Sequence, residues 1–393
     1  MDRYIKDEQT LKELVDQIEG APRLAVDTEF VRDRQYYPQL EIIQLRTDDV
    51  QAVVDYRALG TLAPLSQVLS DPGTTKVFHA GGQDLEIFFN LTGSVPAPLF
   101  DTQVAAAMVG LGAQVGYARL VESLLGVSLK KSETLTDWSR RPLSNAQIEY
   151  ALDDVRYLLP LHEALQRRLE ALGRERWLEA EWEAMADPDA YRRVPPRDAY
   201  RRVQSVNRLR HHELPVLREL AEWREQDAIR RDRAPSLIVR DNVLFELARR
   251  APRTIEALSE IRGLHPREIE RSGESMLAAI RRGKAVPRGE WPRLPERIAL
   301  SDQESALVSL MQAWLRARAD EAEIAVNYLA TSSELQELVT STPEERATLG
   351  VLRGWRGRLV GTDLLALMEG RAHLVWDPAT RQLRLLYPRA TAP

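Results

Sequence analysis

The chain has 393 residues, too many for one compact core of ordinary size, so two or three domains are expected. It is 44% hydrophobic and 29% charged, with a net charge of −5, an ordinary globular balance. The absence of cysteine excludes disulfides and thiolate metal sites and fits a reducing cytosol. The six histidines form no ligand cluster, so any metal here should be a hard cation held by carboxylates. No apolar run approaches the roughly 20 residues a membrane helix needs. The polar, acidic start MDRYIKDEQT does not read as a secretory signal.

Charge is uneven along the chain. Residues 1–207 hold 24 Lys and Arg against 32 Asp and Glu; residues 208–290 hold 18 against 14; residues 291–393 hold 12 against 13. The middle segment is the basic one, where contact with a polyanion is expected. Nearly all the cations are arginine, which suits bidentate phosphate contacts. That bias runs through the whole chain, so codon composition explains it at least as readily as function does.

Strand-like runs come early. RLAVDTEF (23–30), LEIIQLRT (40–47), VQAVVDY (50–56) and the shorter TTKVFH (74–79) read as strands. LGTLAPLSQVLS (59–70) has helical spacing, and DLEIFFNLTG (84–93) reads as a helix ended by Gly93. From Thr102 to Met185 the pattern is mostly helical, with breaks near Gly112, Gly126 and Pro142. A mixed α/β domain over residues 1–186 follows. Residues 187–206, rich in proline and arginine, read as a basic, solvated linker. Residues 207–286 and 297–371 each read as a small all-α bundle. The apolar spacing of LPVLRELAEWREQDAIRRD (214–232) and ESALVSLMQAWLRARADEA (304–322) is similar, as in two diverged copies of one module. Trp223 and Trp314, at matching places, read as core residues, and HLVWDPATRQLRLLYP (373–388) as a hairpin.

The chemistry-bearing residues are acids. Asp27 and Glu29 in VDTEF end an apolar strand, and an i, i+2 pair shares one face of it. Two carboxylates side by side near a core repel each other, and a divalent cation would remove that cost. A strand merely surfacing into solvent is the competing reading, at even weight. In HAGGQDLEIFF (79–89) a strand ends at His79, a Gly-Gly turn follows, and Asp84 sits near a helix start, where it could simply complement the helix dipole. His79 reads as structural, and Asp101 as an N-cap. In EYALDDVRYLLPLHEAL (149–165), Tyr150 and Asp154 lie four apart on one helix face. A phenol and a carboxylate there can hold a metal and orient a water, or can be an ordinary surface pair.

Taken in order, Asp-x-Glu on a strand, Asp at a helix start and Tyr-x-x-x-Asp on a helix resemble the DEDD exonucleases of the tyrosine-bearing branch. The segments LAVDTEFVRDRQYYPQLEIIQL, VFHAGGQDLEIF, PLFDTQVAAAMVGLG, VGYARLV, KSETLTDWSRRPL and YALDDVRYLLPL resemble the ribonuclease D family, densely over residues 20–170. LRELAEWREQDAIRRDRAP and LSEIRGLHPREIER resemble the helicase-and-ribonuclease-D C-terminal (HRDC) domain, with a more diverged copy at 297–371. The resemblance implies an α/β ribonuclease-H-like domain with a mixed sheet, followed by two small all-α helical bundles. It implies 3′→5′ exoribonuclease activity with two divalent cations, Mg²⁺ or Mn²⁺. Asp27, Glu29 and Asp154 would bind the first ion, Asp27 with Asp84 the second, and Tyr150 would orient the attacking water. Asp153 adjoins Asp154, and the spacing from Tyr150 selects Asp154.

The implied partner is RNA, such as tRNA precursors or other structured RNAs with single-stranded 3′ ends, acted on by a cytoplasmic monomer. Trp138, Arg140 and Arg141 could cradle the strand, or form a loop around a buried Trp. Lys130 and Lys131 read as a solvated pair. A DNA exonuclease with the same four acids and a non-catalytic RNA-binding protein are the alternatives; loss of an acid would mark the latter, and none is lost.

Overall fold

The computed structural model describes residues 2–32, 34–129, 136–294 and 300–387, so Lys130 and Lys131 lie outside the described residues. Six strands form the first sheet: β1 (Asp2–Ile5), β2 (Arg23–Val31), β3 (Gln39–Arg46), β4 (Gln51–Asp55), β5 (Thr75–Phe78) and β6 (Leu99–Asp101). They are ordered β1-β4-β3-β2-β5-β6, and β3 alone runs antiparallel to its neighbours. The sheet is therefore mixed. β1 and β6 are absent from the sequence reading because runs of four and three residues carry too little periodicity to register.

Helices cover both faces. On one side lie α1 (Glu8–Ile18), α2 (Ala63–Ser70) and α3 (Gly82–Thr92). Their Leu11, Leu14, Leu65, Leu85 and Phe88 share a core with Leu24 and Val26 of β2. On the other lie α4 (Thr102–Met108), α5 (Tyr117–Leu125), α6 (Asn145–Arg156) and α7 (Leu158–Ala171). Ala25 belongs to that second core, with Leu120, Leu158 and Leu165. The switch from Leu24 to Ala25 to Val26 is the two-residue alternation of a strand covered on both sides. It sends Asp27 and Glu29 toward the α6 side and Thr28 toward α3.

The C-terminal half is helical, and its two bundles relate differently to the sheet domain. The first contains α8 (Leu214–Arg231), α9 (Asp241–Arg250) and α10 (Pro266–Ala285). Its core includes Trp223, Leu244 and Met276, and also Ala199, Tyr200, Val203 and Val206 from the stretch read as linker. Proline and arginine marked that stretch as solvated chain, yet it folds as 3-10 turns packed on α8. Among the described residues, Tyr36 is the sheet domain's single residue in that core. Its hydroxyl donates to Glu225 (2.9 Å), and its backbone N–H donates to Asp232 (3.2 Å). The Arg193 guanidinium lies over Tyr36 and Tyr37, 4.2 and 4.7 Å from their ring centroids.

The second bundle contains α11 (Asp302–Glu321), α12 (Ser332–Thr340) and α13 (Thr362–Met368). Met311, Trp314, Leu335 and Leu364 join the same continuous core as Leu158 and Leu165. The Trp177 and Trp355 rings stack at 4.4 Å. Arg174 donates to the Met108, Ala322 and Glu323 carbonyls. Strands β7 (His373–Asp377) and β8 (Gln382–Leu386) pair as the expected hairpin. Among the described residues no helix is long and apolar enough to cross a membrane.

Candidate active site

The site forms where β2 leaves the sheet. A register shift between Glu29 and Phe30 bulges the strand just after its two acids, re-aiming the side chains at its end. Asp84 enters from the first turn of α3. The turn before α3 is demanding: Ala80 has φ 56°, and a Cβ on Gly81 would lie 2.7 Å from Phe78 Cβ. Asp101 holds that turn. Its carboxylate accepts from Ala80 N (3.1 Å) and Gly81 N (2.8 Å), and from Gln103 N (2.8 Å) and Val104 N (3.2 Å) as the N-cap of α4. One buried acid thus fixes two helix starts. The N-cap role was legible in sequence; the reach back to Ala80 and Gly81 was not.

Asp154 and Tyr150 come from α6, which a Ser144–Gln147 capping box anchors. Tyr117 pins the end of that helix. Its hydroxyl donates to the Asp153 carbonyl (2.9 Å) and accepts from Tyr157 N (3.0 Å). Sequence reasoning gave Tyr117 no role; it is a lone tyrosine in VGYARLV and its partners lie about 40 residues away. Thr28, between the two β2 acids, donates its hydroxyl to Asp84. His79 sits at the strand end with Nδ1 2.9 Å from the Thr102 hydroxyl and its ring against Tyr117.

Electrostatics tie the four acids together. Burial and the charges of Asp84, Asp154 and Glu29 hold the Asp27 carboxyl far above its ordinary range. Burial, then Asp154 and Asp84, push Glu29 up to about 8. Burial raises Asp84 to about 7 against the opposing Thr28 hydrogen bond. Burial and Asp153 raise Asp154 to about 7. No Lys, Arg or His among the described residues forms an ion pair with any of the four. Elsewhere buried acids are matched: Asp55 with Arg141, Glu41 with Arg57, Asp227 with Arg231, Glu219 with Arg282. Four unmatched carboxylates in one crevice are what a divalent cation would neutralise, and an all-oxygen donor set fits Mg²⁺ or Mn²⁺. Among the described residues no three His, Asp or Glu side chains already stand at the spacing of a finished ligand shell.

The proposed RNA contacts divide. Trp138 is 7% exposed and packs with Ile42, Val53, Leu143 and Ala151; its ring lies 6.2 Å from that of Tyr150. Arg141 makes a bidentate pair with buried Asp55 (2.6 and 2.8 Å) and donates to the Trp138 carbonyl. Burial pushes the Asp55 carboxyl up, but Arg141 and Tyr4 outweigh it and hold it below its ordinary value. Trp138 is thus packed beside Tyr150, and Arg141 is engaged in its ion pair with Asp55. Arg140 faces solvent, paired with exposed Asp137.

A cluster of acids without basic partners at the end of an interior strand of a mixed sheet, with a tyrosine one helical turn from the last acid, has the chemistry of a carboxylate-dependent nuclease. Residues 3–170 match the 3′-5′ exonuclease family model, and residues 213–280 match the HRDC domain. Ribonuclease D of Acidiphilium cryptum is 40% identical over 94% of each chain, and that of Gluconacetobacter diazotrophicus 39% over 96% of this chain and 95% of its own. The crystal structure of Escherichia coli RNase D, an exoribonuclease involved in structured RNA processing, superposes with a TM-score of 0.83 at 33% identity, covering 93% of this chain and 98% of that one.

The chain belongs to the ribonuclease D family. It has the ribonuclease-H-like α/β fold with helical modules behind it, and its activity is that of a metal-dependent 3′→5′ exoribonuclease. The DNA-exonuclease and non-catalytic alternatives fall with that assignment.

Proposed function

We infer that Asp27, Glu29, Asp84 and Asp154 hold two divalent cations, Mg²⁺ or Mn²⁺, and that Tyr150 orients the water that attacks the terminal phosphodiester. The observation that carries this reading is the set of four mutually repelling carboxylates without a basic partner. Bound cations would supply charge relief at the phosphoryl transition state and a more acidic attacking water. The chain's own part is to hold the acids in place. The β2 bulge aims Glu29, Thr28 and the Asp101-braced turn fix Asp84, and Tyr117 fixes the register of the Asp154 helix. Tyr150 need not act as a base, since orienting a water requires only its hydroxyl. Its role is to hold a water by hydrogen bond, with Trp138 behind its ring.

The substrate we propose is a structured RNA with a single-stranded 3′ end, tRNA precursors among them, trimmed one 5′-monophosphate at a time by a cytoplasmic monomer. Residues 1–186 would form the catalytic domain, with 187–206 joining it to a first HRDC-like module at 207–286 and a second at 297–371. The basic composition of 208–290 supports a role for the first module in holding RNA. The test uses matched RNA and DNA strands labelled at the 5′ end, incubated with purified protein and Mg²⁺. A ladder shortening from the 3′ end of RNA, abolished by EDTA, is the expected result. Release of internal fragments, or equal attack on DNA, would overturn the reading.

A further inference from the structure

The C-terminal hairpin and the helix beside it enclose an open groove that the catalytic reading does not use. Its volume is about 1000 Å³, between α11 and β7–β8. Trp376 and Tyr387 on its rim are 54% and 52% exposed, unusual for aromatic rings of their size. Cross-strand register pairs Leu374 with Leu385 and Trp376 with Leu383, so these four share one face of the hairpin. Leu374 and Leu385 pack on the core, which leaves Trp376 held out over the groove by the same face.

Four arginines line the groove, and they are not equivalent. Arg318 pairs with Glu321, and Arg384 with Asp377. Arg316 and Arg381 are exposed and have no ion-pair partner among the described residues. Asp363 is engaged, accepting from Trp314 Nε1 (3.2 Å) and the Tyr387 hydroxyl (2.7 Å). Asp320 and Glu321 also line the groove, so it is no uniformly cationic surface. The pairing of free guanidinium groups with open aromatic faces is what favours a flexible polyanion carrying flat bases.

The groove does not end at α11. A second cavity of about 560 Å³ shares Arg316 and Asp320 with it and reaches Gly110, Gly112 and Ala113 of the catalytic domain. That segment runs on to Tyr117, which is hydrogen-bonded beside Asp154 at the Asp153 carbonyl. The two cavities together run from the hairpin to the Gly110–Ala113 segment of the catalytic domain.

We propose that this trough binds single-stranded RNA upstream of the 3′ end being cut, with bases stacked on Trp376 and Tyr387 and phosphates against Arg316 and Arg381. The assignment rests on the exoribonuclease activity only for the identity of the strand. The full-length protein is titrated, in EDTA, with labelled RNA strands of about 16 and about 4 nucleotides. Trp376→Ala should weaken the long strand on the order of tenfold. It should leave kcat/KM for the short strand in Mg²⁺ within about twofold. The Arg316→Gln/Arg381→Gln double variant should make log K against log salt shallower by about 0.7 per lost phosphate contact. Both arginines are exposed, so this variant reads the surface even if Trp376→Ala lowers the melting temperature. Unchanged long-strand affinity and salt slope in both variants would overturn the proposal. So would a wild-type dimer in sedimentation that Trp376→Ala dissolves without altering RNA affinity, since the patch would then be an interface between copies. Failure of the wild type to shorten the 4-nucleotide strand would instead strike the exoribonuclease reading, whatever the groove binds.

Discussion

A carboxylate inside a protein must be paired, hydrogen-bonded or protonated. Asp55 and Asp227 take arginines, Asp101 takes four backbone N–H groups, and the four acids of the site, despite the Thr28 hydroxyl on Asp84, are raised above their ordinary range by burial. Raised carboxyl groups bind more protons folded than unfolded, between about pH 4 and the folded values of about 7 to 8. Their contribution to stability is therefore full in acid and lost as pH rises through 7 to 8. Metal-free Asp27→Asn, which removes one of the repelling charges, should melt no lower than metal-free wild type at pH 8, and the gain should shrink toward pH 5. The same variant should have no measurable hydrolysis, because an amide is a poor ligand for a hard cation. Hydrolysis near the wild-type rate in saturating Mg²⁺ would remove Asp27 from the site. Apparent Mg²⁺ affinity of the wild type should rise from pH 6 to 8, as protons cease to compete; isothermal titration in two buffers reads the proton release directly. Tyr150→Phe keeps the ring against Trp138 and removes the hydroxyl, so the rate should fall on the order of 100-fold with RNA affinity unchanged. A loss of affinity at constant rate would make Tyr150 a binding residue. Strand and helix periods put Asp27 with Glu29 and Tyr150 with Asp154 on single faces, but Asp84 and the set of five rested on the resemblance to the DEDD exonucleases. Trp138 and Arg141 could not be resolved that way, because the partner that buries the arginine, Asp55, lies 86 positions upstream.

At the scale of elements, the turn between β5 and α3 decides where Asp84 stands. Local sequence shows a Gly-Gly turn there, but Asp101, twenty residues on, braces it. Asp101→Ala leaves Ala80, Gly81, Gln103 and Val104 N–H groups without their acceptor. The expected loss is about 3 kcal/mol in urea unfolding, the sum of a lost cap and buried donors left unsatisfied. Activity per folded molecule should also fall on the order of tenfold, since small displacements of a reacting group are expensive. Asp101→Asn keeps one acceptor oxygen and should recover part of both. A variant as stable and active as wild type would show that the turn is set by Gly81 and the Phe78 contact alone. The long strands were legible because each carries several alternations; β1 and β6 were not, being held by parallel neighbours rather than by their own pattern.

At the scale of the molecule, similar apolar spacing made the two helical modules look like equal appendages. An amphipathic face announces that it has a partner but not which one. Among the described residues, the first module closes its own core, admitting only Tyr36 from the sheet domain, and includes the turns at 196–202 and Val203 and Val206 beyond them. The second shares one unbroken core with α4, α5 and α7. Their independence should differ accordingly. A fragment spanning residues 194–294 retains Ala199, Tyr200, Val203 and Val206, and is large enough to bury a core of its own. It should give a cooperative thermal melt by circular dichroism. A fragment starting at Asn207 has lost those buried residues and should melt lower or without cooperativity. Residues 1–186 alone expose the surface that Met311, Trp314 and Leu335 cover, and leave Trp177 without its stacking partner and Arg174 with only the Met108 carbonyl of its three acceptors. That fragment should melt well below the full chain, or bind a hydrophobic dye as a loosened domain does. Adding residues 300–393 as a separate polypeptide should restore part of the loss, with a concentration dependence that reports the shared interface. Residues 1–186 melting cooperatively at the temperature of the whole chain would mean that the second module merely rests on the catalytic domain, and that the continuous core carries little of the stability.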